Sequence, residues 1–91
     1  MPVSTMSAVE RIARVIAGRA VSANAEGNET SAAELVDSAW PDYRGDALSV
    51  LRTLREPDPA MAGVGEVATW ERMIEAAIAE AEADAKAEAA S

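Results

Sequence analysis

Apolar residues recur at helical spacing in four stretches of the chain, and none of the chain alternates as a half-buried strand requires. The first stretch opens with Ser7-Ala8-Val9-Glu10, a capping box in which Ser7 and Glu10 each satisfy an orphan amide of the first turn. Val9, Ile12, Ala13, Ile16 and Ala20 then share one face, while Arg11, Arg14 and Gly18 point the other way. Turn chemistry from Asn24 to Asn28, with Gly27, predicts that this helix ends near Ala23. A second capping box, Ser31-Ala32-Ala33-Glu34, starts a short helix with Leu35, Val36 and Ala39 on its apolar side. Pro41 has no amide hydrogen and disfavours helical geometry at Trp40, so a break or kink falls there. The pattern fits residues 31–55 either as one kinked helix or as two.

Beyond that break, Tyr43, Ala47, Val50, Leu51 and Leu54 line one stripe of a third helix, which Gly45 weakens without forbidding. Glu56-Pro57-Asp58-Pro59 stops it, and Asp58 with Pro59 at the first helical position is suited to cap a single turn through Met61. Gly63-Val64-Gly65 reads as a loop. The last helix runs from about Glu66, with Val67, Trp70, Ile74, Ala77, Ile78 and Ala81 spaced for burial. Glu88 falls on the same stripe, so the buried part must finish by about Ala85. From Glu80 to Ser91, alanine alternates with charge; helix propensity is strong there, but nothing large is available to pack. The expectation is an all-α fold: a compact three- to four-helix bundle over residues 1–85 as one domain. An Ala/Glu-rich C-terminal helical extension closes it and frays over residues 86–91.

Composition narrows what such a fold can do. Of 91 residues, 22 are alanine, three are aromatic and none is Phe, so the core is thin and a partner or second copy would help to stabilise it. With no Cys there is neither a disulfide framework nor a thiolate metal site. With no His, the commonest general base, proton shuttle and metal ligand are missing together. No apolar run reaches membrane-spanning length, and Met1-Pro2-Val3-Ser4 lacks the character of a signal peptide; a cytoplasmic protein that binds no membrane is expected. The net charge of −8 disfavours direct binding to nucleic acid.

That charge is unevenly placed. Residues 1–23 and 48–55 are each locally +2, whereas residues 24–47 carry −5 and residues 56–91 carry −7. Sixteen acids cannot all be matched by eight bases, so some acidic surface stays unpaired. On the last helix Glu71, Glu75 and Glu82 project to one flank of the buried stripe, and Glu66, Glu80 and Asp84 to the other. The plain reading is a solvated face, with one flank pairing Arg44, Arg52 or Arg55. The sharper reading joins these six acids with Glu34, Asp37 and Asp42 in an acidic patch that steers and holds a basic surface.

Other chemistry is weaker. Carboxylate pairs such as Glu71 and Glu75 are the only catalytic raw material, and a chain this short has little volume for the cleft they would need, so an enzyme is not expected. Gly63-Val64-Gly65 follows no strand and is followed by no third glycine or lysine, which argues against a phosphate cradle. Asn24 to Glu29 lacks the alternating acids of a calcium loop, and neither metal nor cofactor is expected. Trp40, Tyr43 and Trp70 read as core filler in a protein without Phe. Trp40, standing at the break, also reads as an aromatic interface anchor.

Leu54-Arg55-Glu56-Pro57-Asp58-Pro59-Ala60-Met61, followed by Trp70-Glu71-Arg72-Met73-Ile74-Glu75-Ala76-Ala77, resembles small acidic helical proteins of proteobacterial phages and prophages. These too begin with a capped helix like Val9-Glu10-Arg11-Ile12-Ala13-Arg14. The resemblance covers most of residues 7–78 and brings no catalytic residues. It implies a phage or mobile-element setting, and anti-CRISPR inhibitors are similar in size and charge. The expected function is therefore a non-enzymatic inhibitor, a DNA-mimic candidate. It would use its acidic surface to occlude a basic surface of a nucleic-acid-handling protein, such as a CRISPR effector subunit, acting as a monomer or homodimer. The alternative is a self-associating structural or assembly protein of a phage, packing through the small residues Ala76, Ala79 and Ala83 of the last helix.

Overall fold

The computed structural model describes residues 2–24 and 32–90. Every regular element among them is helical: α1 (Ala8–Asn24), α2 (Ala32–Ala39), a 3-10 turn (Trp40–Tyr43), α3 (Arg44–Leu54), α4 (Pro59–Ala62) and α5 (Val67–Ala90). The all-α expectation therefore holds for the described residues. The turn expected at residues 25–28 and the Ser31 cap lie outside them. The chain divides into two compact units, Met1–Ala47 and Leu48–Ser91, with the division inside α3.

In the first unit, α1 starts where the sequence places it. The Ser7 hydroxyl accepts from the Glu10 amide at 3.2 Å, one half of the capping box. The Glu10 carboxylate turns to Arg14 instead, at 2.8 Å, an i,i+4 pair along the helix. The buried face is rotated from the expected one. Val9, Ala13 and Ala17 are buried, Ile12 and Ile16 are only half-buried, and Val15 is 66% exposed. The cause is α2, which packs on the side of α1 assigned to solvent. Arg14 reaches Asp37 at 2.6 Å, and a side chain at Gly18 would meet Val36 Cγ2 at 3.8 Å. Arg14 and Gly18 thus face a neighbouring helix. Two carboxylates hold the Arg14 guanidinium, and its pKa rises, mainly through the Asp37 hydrogen bond and then through that to Glu10.

Pro41 acts as expected but gives two helices joined by a 3-10 turn, with Tyr43 in that turn and not in α3. Proline early in such a turn loses no hydrogen bond, because its amide position is an orphan in any helical first turn. The Trp40 ring is half-buried beside two cations, with the Arg44 and Arg14 guanidinium carbons 4.6 and 5.3 Å from its centroid. Ala47 at the end of this unit is fully buried. Its core is mostly alanine, which explains why a stacked indole is used to fix α2 and the turn against α1.

In the second unit, Leu51 of α3 and Ile74, Ile78 and Ala81 of α5 are buried. The expected α3 stripe narrows, for Val50 and Leu54 are each 39% exposed. Leu54 is the last helical residue, where a side chain has fewer neighbours, and its carbonyl accepts the Trp70 indole N–H at 2.7 Å. Between α3 and α5, Asp58 caps α4 by accepting from the Met61 amide at 2.9 Å, with Pro59 in the first turn. The last buried position of α5 is Ala81, and residues 82–89 are exposed although helical.

Candidate functional site

The acids of α5, and Glu66 just before it, separate by environment. Glu82 pairs with Arg52 at 3.0 Å, with both side chains about half exposed. Glu66, Glu75, Glu80 and Asp84 are exposed and Glu71 is half-buried; none of these five has an ion-pair partner among the described residues. At 100° per residue, Glu71 and Glu75 lie on one side of the Ile74–Ile78–Ala81 stripe, and Glu66, Glu80 and Asp84 on the other. This arrangement can attract a basic surface without first breaking an ion pair within the chain, the cost being the desolvation of the carboxylates. No group of three or more acids among the described residues is close enough to hold a metal ion.

The acids of the first unit sit differently. Asp37 is committed to Arg14, and Glu34 also interacts within the chain. Asp42, in the 3-10 turn, is exposed. Of the aromatics, Trp40 has Arg14 and Arg44 over its ring, so it is engaged within the chain.

A feature that the sequence pattern did not single out lies at the start of α5. Pro57, Met61, Ala62, Val64, Gly65, Glu66, Val67 and Trp70 line a half-open pocket of about 280 Å³. Trp70, read from its spacing as core filler, is half-buried and forms one wall. Val64 is 91% exposed and Val67 41% exposed, so the apolar lining continues onto the surface. The amides of Ala62, Gly63 and Val64 donate to the carbonyls of Asp58, Pro59 and Met61 at 2.9–3.2 Å. These three amides are therefore engaged within the turn. The signal that could have revealed the pocket is Val64 itself, an aliphatic residue set between two glycines in a loop.

Among the described residues, no helix is long and apolar enough to cross a membrane. No protein-family model matches the chain, and no curated protein or solved structure matches it.

Proposed function

We propose that the chain is a non-catalytic binding protein whose acidic C-terminal helix holds a basic surface of a nucleic-acid-handling protein and occludes it, as phage-encoded inhibitors of the anti-CRISPR kind do. The observation that carries this reading is the set of four carboxylates on the flanks of α5, with Glu66 just before its first residue, that have no ion-pair partner among the described residues. A protein selected only for solubility gains nothing from placing its acids in blocks. A protein that must meet lysines and arginines gains both encounter rate and orientation. Absence of His and Cys removes the two side chains most used for acid–base and nucleophilic chemistry near neutral pH, which favours binding over catalysis. Relative to the sequence expectation, the surface is drawn more narrowly. It comprises Glu66, Glu71, Glu75, Glu80 and Asp84, with Glu82 shared with Arg52 and Glu34 and Asp37 engaged elsewhere.

The test is affinity capture from a bacterial lysate with the immobilised protein, eluted by increasing salt. The reading predicts a nucleic-acid-handling protein that elutes early in the gradient and competes with DNA or RNA for binding. Retention only of proteins indifferent to salt would contradict it.

A second reading is favoured by Ala76, Ala79 and Ala83, small and exposed on α5, where a second copy's helix could approach closely. Sedimentation separates the two readings: a stable, salt-insensitive dimer supports self-assembly, and a monomer supports the inhibitor.

A further inference from the structure

We infer that the pocket at the start of α5 receives an apolar side chain of a partner polypeptide whose neighbouring residues are lysine or arginine. The inference rests on the proposed function for the basic character of the partner, whereas the apolar requirement comes from the pocket itself.

What enters must be apolar. The lining is aliphatic and aromatic except for Glu66. Its one polar handle of the ring type, the Trp70 indole N–H, is already donated to the Leu54 carbonyl. Asp58 is used on the Met61 amide, and three loop amides are used on carbonyls of the same turn. Apart from a cationic group at Glu66, a polar ligand would be desolvated with almost nothing to bind. An aliphatic or aromatic side chain would instead cover Val64, Val67 and the Trp70 ring, surface that the chain leaves in water.

Size and charge set the occupant. The pocket's volume of about 280 Å³ is at the bottom of the range of small-molecule sites, roughly 300–1,000 Å³, and suits one or two side chains. The lining residues run from Pro57 to Trp70, a span holding Asp58 and Glu66 and no Lys or Arg, with Glu56 and Glu71 next to its ends and Arg55 and Arg72 beyond them. An apolar anchor beside Glu66, on a segment whose carboxylates outnumber its bases, is complementary to a segment with an apolar residue flanked by bases. The walls are already fixed, by the Asp58 cap on one side and the Trp70–Leu54 hydrogen bond on the other, so little ordering opposes binding.

The experiment uses the full chain carrying Trp40→Phe, which retains a ring beside Arg14 and Arg44 and leaves Trp70 as the sole indole. The probes are three synthetic peptides: one with two leucines flanked by lysines, one with those leucines replaced by alanine, and one with the lysines replaced by glutamate. The first should give a saturable change in Trp70 emission, and each of the others should bind about tenfold or more weakly. Val64→Asp, at a loop position 91% exposed, should weaken the first peptide by a similar factor without altering the circular dichroism. Anisotropy of the labelled peptide with the unmodified chain repeats the test if Trp40→Phe perturbs the fold.

Equal binding of the glutamate peptide, or no effect of Val64→Asp, would overturn the inference. So would Trp70 emission that changes with protein concentration alone, since a second copy would then fill the pocket. Failure here is distinguishable from failure of the proposed function. If Val64→Asp leaves salt-sensitive capture of the partner intact, the pocket inference falls and the acidic surface stands. If charge reversal on α5 leaves capture intact while the peptide still binds at Trp70, the reverse holds.

Discussion

The indole N–H of Trp70 donates to the carbonyl of Leu54 at 2.7 Å, tying the first turn of α5 to the last residue of α3. A helix leaves its final carbonyls without intrahelical donors, and here a tryptophan supplies one from another helix. The same ring forms a wall of the apolar pocket, so one side chain both closes a helix end and shapes a binding surface.

Trp70→Phe keeps most of the ring and removes the donor. The expected loss is about 1 kcal/mol, the net value of a partly exposed hydrogen bond, read from the urea midpoint at constant slope. A change in slope would show instead that α3 and α5 had separated in the native state.

The core is small, and both directions of volume change should matter. Leu51→Ala, at a position 2% exposed, should cost about 2–3 kcal/mol. Ala17→Leu, at a fully buried position, should cost about 1–3 kcal/mol by overpacking. Either loss within about 0.5 kcal/mol of zero, measured by chemical denaturation, would place that residue outside the cooperative core.

Much of this architecture was legible in the sequence. Ser7, Asp58, Pro59 and Pro41 act through neighbours a few residues away, so their effects on α1, α4 and the 3-10 turn could be read locally. The face of α1 could not. Arg14 and Gly18 looked like solvent positions because charge and the absence of a side chain usually mark them, yet Asp37 and Val36 of α2 make that side a contact. Ala17, fully buried, gives no stronger periodic signal than any of the other alanines. At the candidate site, the acidic flanks of α5 followed from helical spacing alone. The division of labour among those acids did not, because Glu82's pairing with Arg52 depends on how α3 and α5 pack. The pocket was missed for a related reason, since Trp70 satisfies the burial period and still leaves one side of its ring in a cleft.

Removing the Asp58 cap should loosen the α4 turn. Asp58→Ala is expected to cost about 1 kcal/mol and to raise amide exchange at Met61, whose N–H donates to that carboxylate at 2.9 Å. Asp58→Asn, which keeps an accepting oxygen, should restore protection. Equal exchange in all three proteins would remove the cap from the account of how the pocket wall is held.

The Arg52–Glu82 pair is exposed on both sides, so Glu82→Gln should change stability by less than about 0.5 kcal/mol. A larger effect in a denaturation series would mean that the pair is a structural clamp and that Glu82 does not belong to the binding surface.

The most direct measurement compares the unaltered chain with a triple variant, Glu71→Lys, Glu75→Lys and Glu80→Lys, for affinity toward the captured partner across a salt series. These residues have no ion-pair partner among the described residues, so the fold should be kept. The account predicts at least about tenfold weaker binding of the variant at low salt, and a difference that shrinks as salt screens the charges. Equal affinity of the two proteins at low salt, with both folded by circular dichroism, would contradict it.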